Sequence, residues 1–220
     1  MWTDNSYVGG DEIGELVASG YPERIAMAVG HNGDYRLSGG GMVSLDSADQ
    51  LAGYQWLAIA ALHAGNHERG RAFLAAPVNI SDINDLTTWV DNITWITHQG
   101  GIVAQREQRI GQLVVQSKPL TNLDANRLTT IICNAVAKEG QGLLDWNDDV
   151  RTLQLRVALV AKWHPELSLP DLTTSHLLSQ PETWLPFWLN RNGHIIITAA
   201  ELHKIDLTQV LWNILTYDQQ

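Results

Sequence analysis

Gly20–Leu51 reads GYPERIAMAVGHNGDYRLSGGGMVSLDSADQL. Three short apolar runs, Ile25–Val29, Asp34–Ser38 and Met42–Leu45, are separated by His31-Asn32-Gly33-Asp34 and by Gly39-Gly40-Gly41. Asn-Gly suits the positive φ angles of a tight hairpin turn, and a glycine triplet allows a second reversal at no steric cost. The stretch therefore predicts three strands joined by hairpins, entered through Tyr21-Pro22.

Upstream, residues 1–10 read as a loose start. From Asp11 a short helix is predicted, with Asp11 and Glu12 at its N-terminus and Ile13, Leu16 and Val17 at i, i+3, i+4 facing inward until Gly20 stops it. Downstream, further strands are predicted at Gln55–His63, Arg71–Val78, Thr88–Thr97, Ile102–Gln108 and Gly111–Ser117. Both alternating sets of Gln55–His63 are apolar, which predicts a strand buried on two faces. Ser81–Leu86 reads as one helical turn capped by Ser81 or Asp82. Short strands with turns every 8–12 residues suggest a small barrel or sandwich, and five strands with one interrupting helix would be OB-like.

After Pro119 the apolar period becomes 3.6. Leu128, Ile131, Ile132, Ala135 and Val136 form one stripe, with Lys138 in the last turn and Gly140 as the stop. Asp148-Asp149 opens a second helix that carries Leu153, Val157, Val160 and Trp163 inward and stops before Pro165. Ser175–Leu189 contains Pro181 and Pro186, so it reads as two short helices or a kinked one. Leu207–Tyr217 is a last helix with Asp206 as N-cap. Five of the nine tryptophans, Trp146, Trp163, Trp184, Trp188 and Trp212, lie in this half and read as core or interface. The expected fold class is α+β: an OB-like small β-barrel followed by an all-α helical domain.

The 220 residues suffice for one large or two small domains, and 45% hydrophobic content allows a sizeable core. No apolar run approaches the ~18 residues of a membrane span. A single cysteine, Cys133, fits a reducing, cytoplasmic setting. The net charge is −10. Residues 1–120 hold 7 Lys+Arg against 13 Asp+Glu, and residues 121–220 hold 7 against 11. Neither half is basic, so any nucleic-acid affinity must come from a local patch and be weak.

Local motifs for catalysis are missing. None of Lys118, Lys138, Lys162 and Lys204 follows a glycine, which excludes a P-loop. Gly39-Gly40-Gly41 leads toward a strand and reads as a turn. His63 and His67 are four apart, but Ala64-Gly65-Asn66 between them reads as a loop rather than a metal-binding helix. Asp145, Asp148 and Asp149 read as capping charges, and Cys133 as a packed thiol.

The candidate binding surface lies in the β region. Arg36, Arg69, Arg71, Arg106, Arg109 and Lys118 are six of the seven basic residues in the first 120. Tyr35, Trp56 and Phe73 could offer faces for base stacking, worth ~1–3 kcal/mol per base. The competing reading is that these arginines are solvated and paired with the surplus carboxylates.

Tyr21-Pro22-Glu23-Arg24-Ile25-Ala26 followed by Tyr35-Arg36-Leu37-Ser38-Gly39-Gly40-Gly41 resembles a junction in HrpB-type bacterial ATP-dependent helicases. Further matching pieces follow in order: Arg71-Ala72-Phe73-Leu74-Ala75-Ala76-Pro77, Val103 to Gly111, Gly142-Leu143-Leu144-Asp145-Trp146, and Glu182-Thr183-Trp184-Leu185. The resemblance implies a relative of the DEAH-box and DExH-box RNA helicases. It implies that residues 1–24 end a ratchet region, 25–120 form the OB-like domain and 121–220 form part of a helical C-terminal domain. It further implies that the pattern continues beyond Gln220 and that the motor, with its ATP and magnesium, precedes Met1. No catalytic residue carries over, and the chain alone is expected to be inactive as an ATP hydrolase. The implied role is accessory: binding single-stranded RNA or DNA and bracing the motor domains of the same parent protein. The alternative is a protein-interaction module that uses the Trp-rich helical half.

Overall fold

The structure, a computed structural model, describes residues 10–30, 32–63, 69–191 and 193–219. The chain divides into two compact units. The first comprises residues 1–91 and 105–119, the second residues 92–104 and 120–220. The fold class is mixed α+β, with a closed five-stranded barrel followed by helices, as the sequence predicts.

In the first unit, helix α1 (Gly10–Gly20) precedes strands β1 (Ile25–Ala28), β2 (Asp34–Leu37), β3 (Met42–Ser44), β4 (Trp56–His63) and β5 (Arg69–Pro77). These close in the order β1-β2-β3-β5-β4, with β4 returning to β1. The β3–β5 pair is parallel and the other pairs are antiparallel. The expected two-face burial of β4 is present at its start. Leu57 and Ile59 pack with Ala26, Tyr35, Val43 and Ala72. Trp56 and Ala58 pack on the opposite side with Ala18, Ile25, Val78 and Ile83. The β4–β5 register shifts around Ala60, a bulge whose carbonyl accepts a 3.2 Å hydrogen bond from Arg24.

The opening junction folds back on itself. A 3-10 turn at Pro22–Arg24 meets the β2–β3 turn: the Ser38 hydroxyl donates to the Pro22 carbonyl, and the Gly39 N–H donates to Glu23 at 2.9 Å. Helix α1 differs from its expected orientation. Ile13 and Leu16 are exposed, and Gly14, Val17 and Ala18 face the protein. A Cβ on Gly14 would lie 1.9 Å from the Pro77 carbonyl oxygen, so close backbone approach selects the small face over the larger apolar one.

Strands β6 (Thr88–Ile96), β7 (Gly101–Ile110) and β8 (Leu113–Pro119) form a separate three-stranded sheet. Its 105–119 part belongs to the first unit, where Ile110 and Leu113 enter the core beside Ile83. Ahead of it, the predicted helical turn is a 3-10 turn at Asn84–Leu86 without a side-chain cap. Ser81 bonds to Asp82 instead, and buried Gln108 donates to both Asn84 Oδ1 and Thr87 Oγ1 at 2.6 Å.

The second unit contains α2 (Ala125–Leu143), α3 (Asp148–Trp163), α4 (Thr174–Ser179), α5 (Pro186–Leu189), a short hairpin of β9 (Asn190–Arg191) and β10 (His194–Ile195), α6 (Ala199–His203) and α7 (Leu207–Ile214). The two prolines split Ser175–Leu189 as expected, and Asp206 caps α7 by accepting from the Gln209 N–H. Gly140 does not stop α2. The helix continues to Leu143, and the missing side chain at Gly140 leaves room for Leu178, whose methyl would lie 2.4 Å from a Cβ there. The Gly140 carbonyl accepts from the Leu144 N–H at 3.2 Å and also from the Trp146 indole at 3.0 Å. In α3, Asn147 is the cap, and Val150, Leu153 and Val157 are buried. Val160 and Trp163 are exposed rather than inward, Trp163 at 70%. Trp184 and Trp188 lie in the core, whereas Trp212 is partly exposed. Cys133 is a packed thiol whose pKa burial pushes up to about 11, aided by the Glu182 carboxylate.

Candidate nucleic-acid interface

Strand alternation decides which side chains leave the barrel. In β2, Tyr35 points inward, so Arg36 points out and is exposed. Arg36 pairs with Met42 of β3, and Met42 pairs with Arg69 of β5. Two residues further along, Ser44 pairs with Arg71, which pairs with His63 of β4. At ~4.8 Å per strand, the backbones carrying Arg36 and Arg69 lie roughly 10 Å apart. Arg71 and Phe73 follow on the same face of β5, and Phe73 is 67% exposed. The Arg71 guanidinium lies 5.9 Å from the Phe73 ring centre, and the His63 ring meets Phe73 edge-on at 6.4 Å. The Arg69 side chain lies outside the described residues. This outer face offers an exposed ring with one cation, Arg71, beside it, the combination that lets a base stack while a phosphate is neutralised.

Other candidates lie elsewhere. Tyr35 is wholly buried, and its hydroxyl donates to the Leu51 and Tyr54 carbonyls at 2.9 and 2.7 Å. Burial, with the Asp49 carboxylate adding to it, raises its pKa. It has no face to offer a base, which corrects the expectation for that residue. Trp56 is likewise in the core. Arg106 and Arg109 are on the three-stranded sheet. Arg109 is held 2.5 Å from Glu107, a carboxylate with only 7% side-chain exposure, whereas Arg106 lies 3.6 Å from Asp91 at the surface. Lys118 pairs with Arg106 in register and places its ammonium 5.0 Å over the Trp89 ring.

Sequence reading missed His63 and Trp89 as surface partners. In the sequence His63 draws notice only through its spacing to His67, which lies outside the described residues. Trp89 and Val90 are both exposed although neighbours in a strand face opposite ways. Alternation would send one of the two to a core, so the exposure of both is not readable from the pattern.

Comparison with known proteins bears on this arrangement. Residues 86–120, which span the three-stranded sheet, match the connector region of ATP-dependent RNA helicase HrpB. The chain is 30% identical over 213 residues to the ATP-dependent RNA helicase HrpB of Escherichia coli strain K12. The resemblance to HrpB-type helicases is borne out. That match covers 94% of this chain and 26% of the relative. The crystal structure of the Escherichia coli DEAH/RHA helicase HrpB superposes with a TM-score of 0.51 at 28% identity, again over 94% of this chain and 26% of that one. The chain thus spans about a quarter of the length of its HrpB relatives.

Among the described residues no three His, Cys, Asp or Glu side chains converge to hold a metal. Gly39–Gly41 joins β2 to β3, so no helix follows those glycines in the chain. Among the described residues no helix is long and apolar enough to cross a membrane.

Proposed function

We propose that this chain is an accessory region of an ATP-dependent helicase that binds single-stranded RNA or DNA on the outer barrel face and braces the motor domains of the same parent protein. The observation that carries this reading is the grouping of Arg36, Arg71 and exposed Phe73 on one face of a closed barrel. In this reading residues 1–24 are the tail of a ratchet region, 25–120 an OB-type domain and 121–220 a helical C-terminal domain. ATP and magnesium belong to the motor, and the setting is cytoplasmic. Fluorescence anisotropy with a labelled single-stranded oligonucleotide, at low and moderate salt, tests it. Binding that weakens with salt and falls on changing Arg36 and Arg71 to Ala supports the reading. Absence of binding, or indifference to both changes, sinks it for this chain. ATP hydrolysis by the chain alone should be undetectable.

A second reading, a protein-interaction module in the Trp-rich helical half, is favoured by one observation. Leu155, Leu159 and Trp163 recur at i, i+4, i+8 along α3 and are all exposed. A pull-down with the motor domains, compared between wild type and Trp163→Ala, tests it. Capture by wild type and loss in the variant support the module, and equal capture by both removes Trp163 from it.

A further inference from the structure

The three-stranded sheet, distinct from the barrel, presents a second exposed ring beside a cation. Trp89 is 39% exposed on β6, with Asp91 two residues on and on the same face. Asp91 lies 3.6 Å from Arg106 of β7, and the side chains of that pair are 43% and 57% exposed. Lys118 of β8 is the direct register partner of Arg106 and holds its ammonium 5.0 Å over the Trp89 ring. Like charges directly opposite on a sheet repel. Asp91 stands beside Arg106, while Lys118 faces the Trp89 ring, so two cations flank this ring on a chain of net charge −10. A local excess of cations around a flat exposed ring complements a phosphodiester with its base. An acidic peptide would match the charge and leave the ring unused.

We propose that Trp89, Arg106 and Lys118 form a second single-strand subsite, in which a base stacks on Trp89 and the two cations contact the adjoining phosphates. Lys118 swings from the ring to a phosphate as the base takes its place. The proposal extends the nucleic-acid reading above to a separate surface, so it can stand or fall apart from the barrel face.

The test uses the full chain and oligo(U). Hydroxyl-radical footprinting read by mass spectrometry reports oxidation of Trp89 residue by residue, and anisotropy reports affinity. Oligo(U) should protect Trp89. Trp89→Leu should weaken binding about tenfold. Lys118→Met and Arg106→Gln, which keep the tryptophan, should each weaken binding and lower its salt dependence. If Phe73→Ala weakens binding while Trp89 stays unprotected and Lys118→Met binds as wild type, the barrel face stands and this subsite is overturned. If the Trp89 and Lys118 variants weaken binding and Phe73→Ala does not, the subsite stands and the barrel face falls. Protection of Trp89 by poly-glutamate as strong as that by oligo(U) would also overturn it, in favour of an acidic-peptide site.

Discussion

Gly14 and Gly142 are both helical glycines with opposite surroundings. Nothing lies within 4 Å of a Cβ placed on Gly142, whereas one on Gly14 would strike the Pro77 carbonyl at 1.9 Å. Gly142→Ala should therefore raise stability by up to ~1 kcal/mol, the ordinary helix-propensity gain. Gly14→Ala should lower it by ~1–3 kcal/mol through overpacking. Denaturant melts of the two variants check the sign reversal. Tyr35→Phe should cost ~1–2 kcal/mol, because two carbonyls lose their donor, and should leave oligonucleotide binding unchanged. At this scale the sequence offers Arg36, Tyr35 and Phe73 alike as surface candidates, and the structure exposes Arg36 and Phe73. The expectation fails at Tyr35, because a strand tyrosine reads the same whether its face is inside or outside a barrel. Only the barrel's closure, a non-local fact, separates Tyr35 from Arg36.

Helix ends were legible where a side chain caps its own backbone, as at Asp206, and illegible where a neighbour intervenes. Gly140 looks like a stop until Leu178 is seen to fill the space beside it. The strands from β1 to β8 were readable from turn chemistry and alternation, but the pairing of β3 with β5 was not, since nothing local records a parallel partner. Helix α6 went unpredicted although Thr198 and Glu201 form a capping box. Glu201 accepts hydrogen bonds from His194, from the Thr198 hydroxyl and from the Ile197 and Thr198 N–H groups, which lower its pKa to about 2. A folded pKa below the unfolded one gives stability that is full above the ordinary glutamate range and fades as pH falls toward 2. Glu201→Gln keeps the capping geometry and removes the charge. Its Tm should fall below wild type at pH 7, with the gap closing progressively below about pH 4.5. A gap constant with pH would remove the charge from the account.

For the whole chain, the decisive quantity is charge. At −10 overall, long-range attraction to a polyanion is absent, and binding must be carried by a few local contacts. Composition made that limit legible, but it could not place Arg36 and Arg71 on the barrel and Arg106 on another sheet. The prediction at this scale concerns salt. Each phosphate contact on a single strand contributes roughly 0.7 to the slope of log K against log salt. Titration of labelled oligo(U) across a salt series, with wild type and with the Arg36→Ala, Arg71→Ala double variant, measures it directly. The barrel-face account predicts weaker binding and a slope shallower by about 1.4 in the double variant. Equal affinity and an unchanged slope would contradict it.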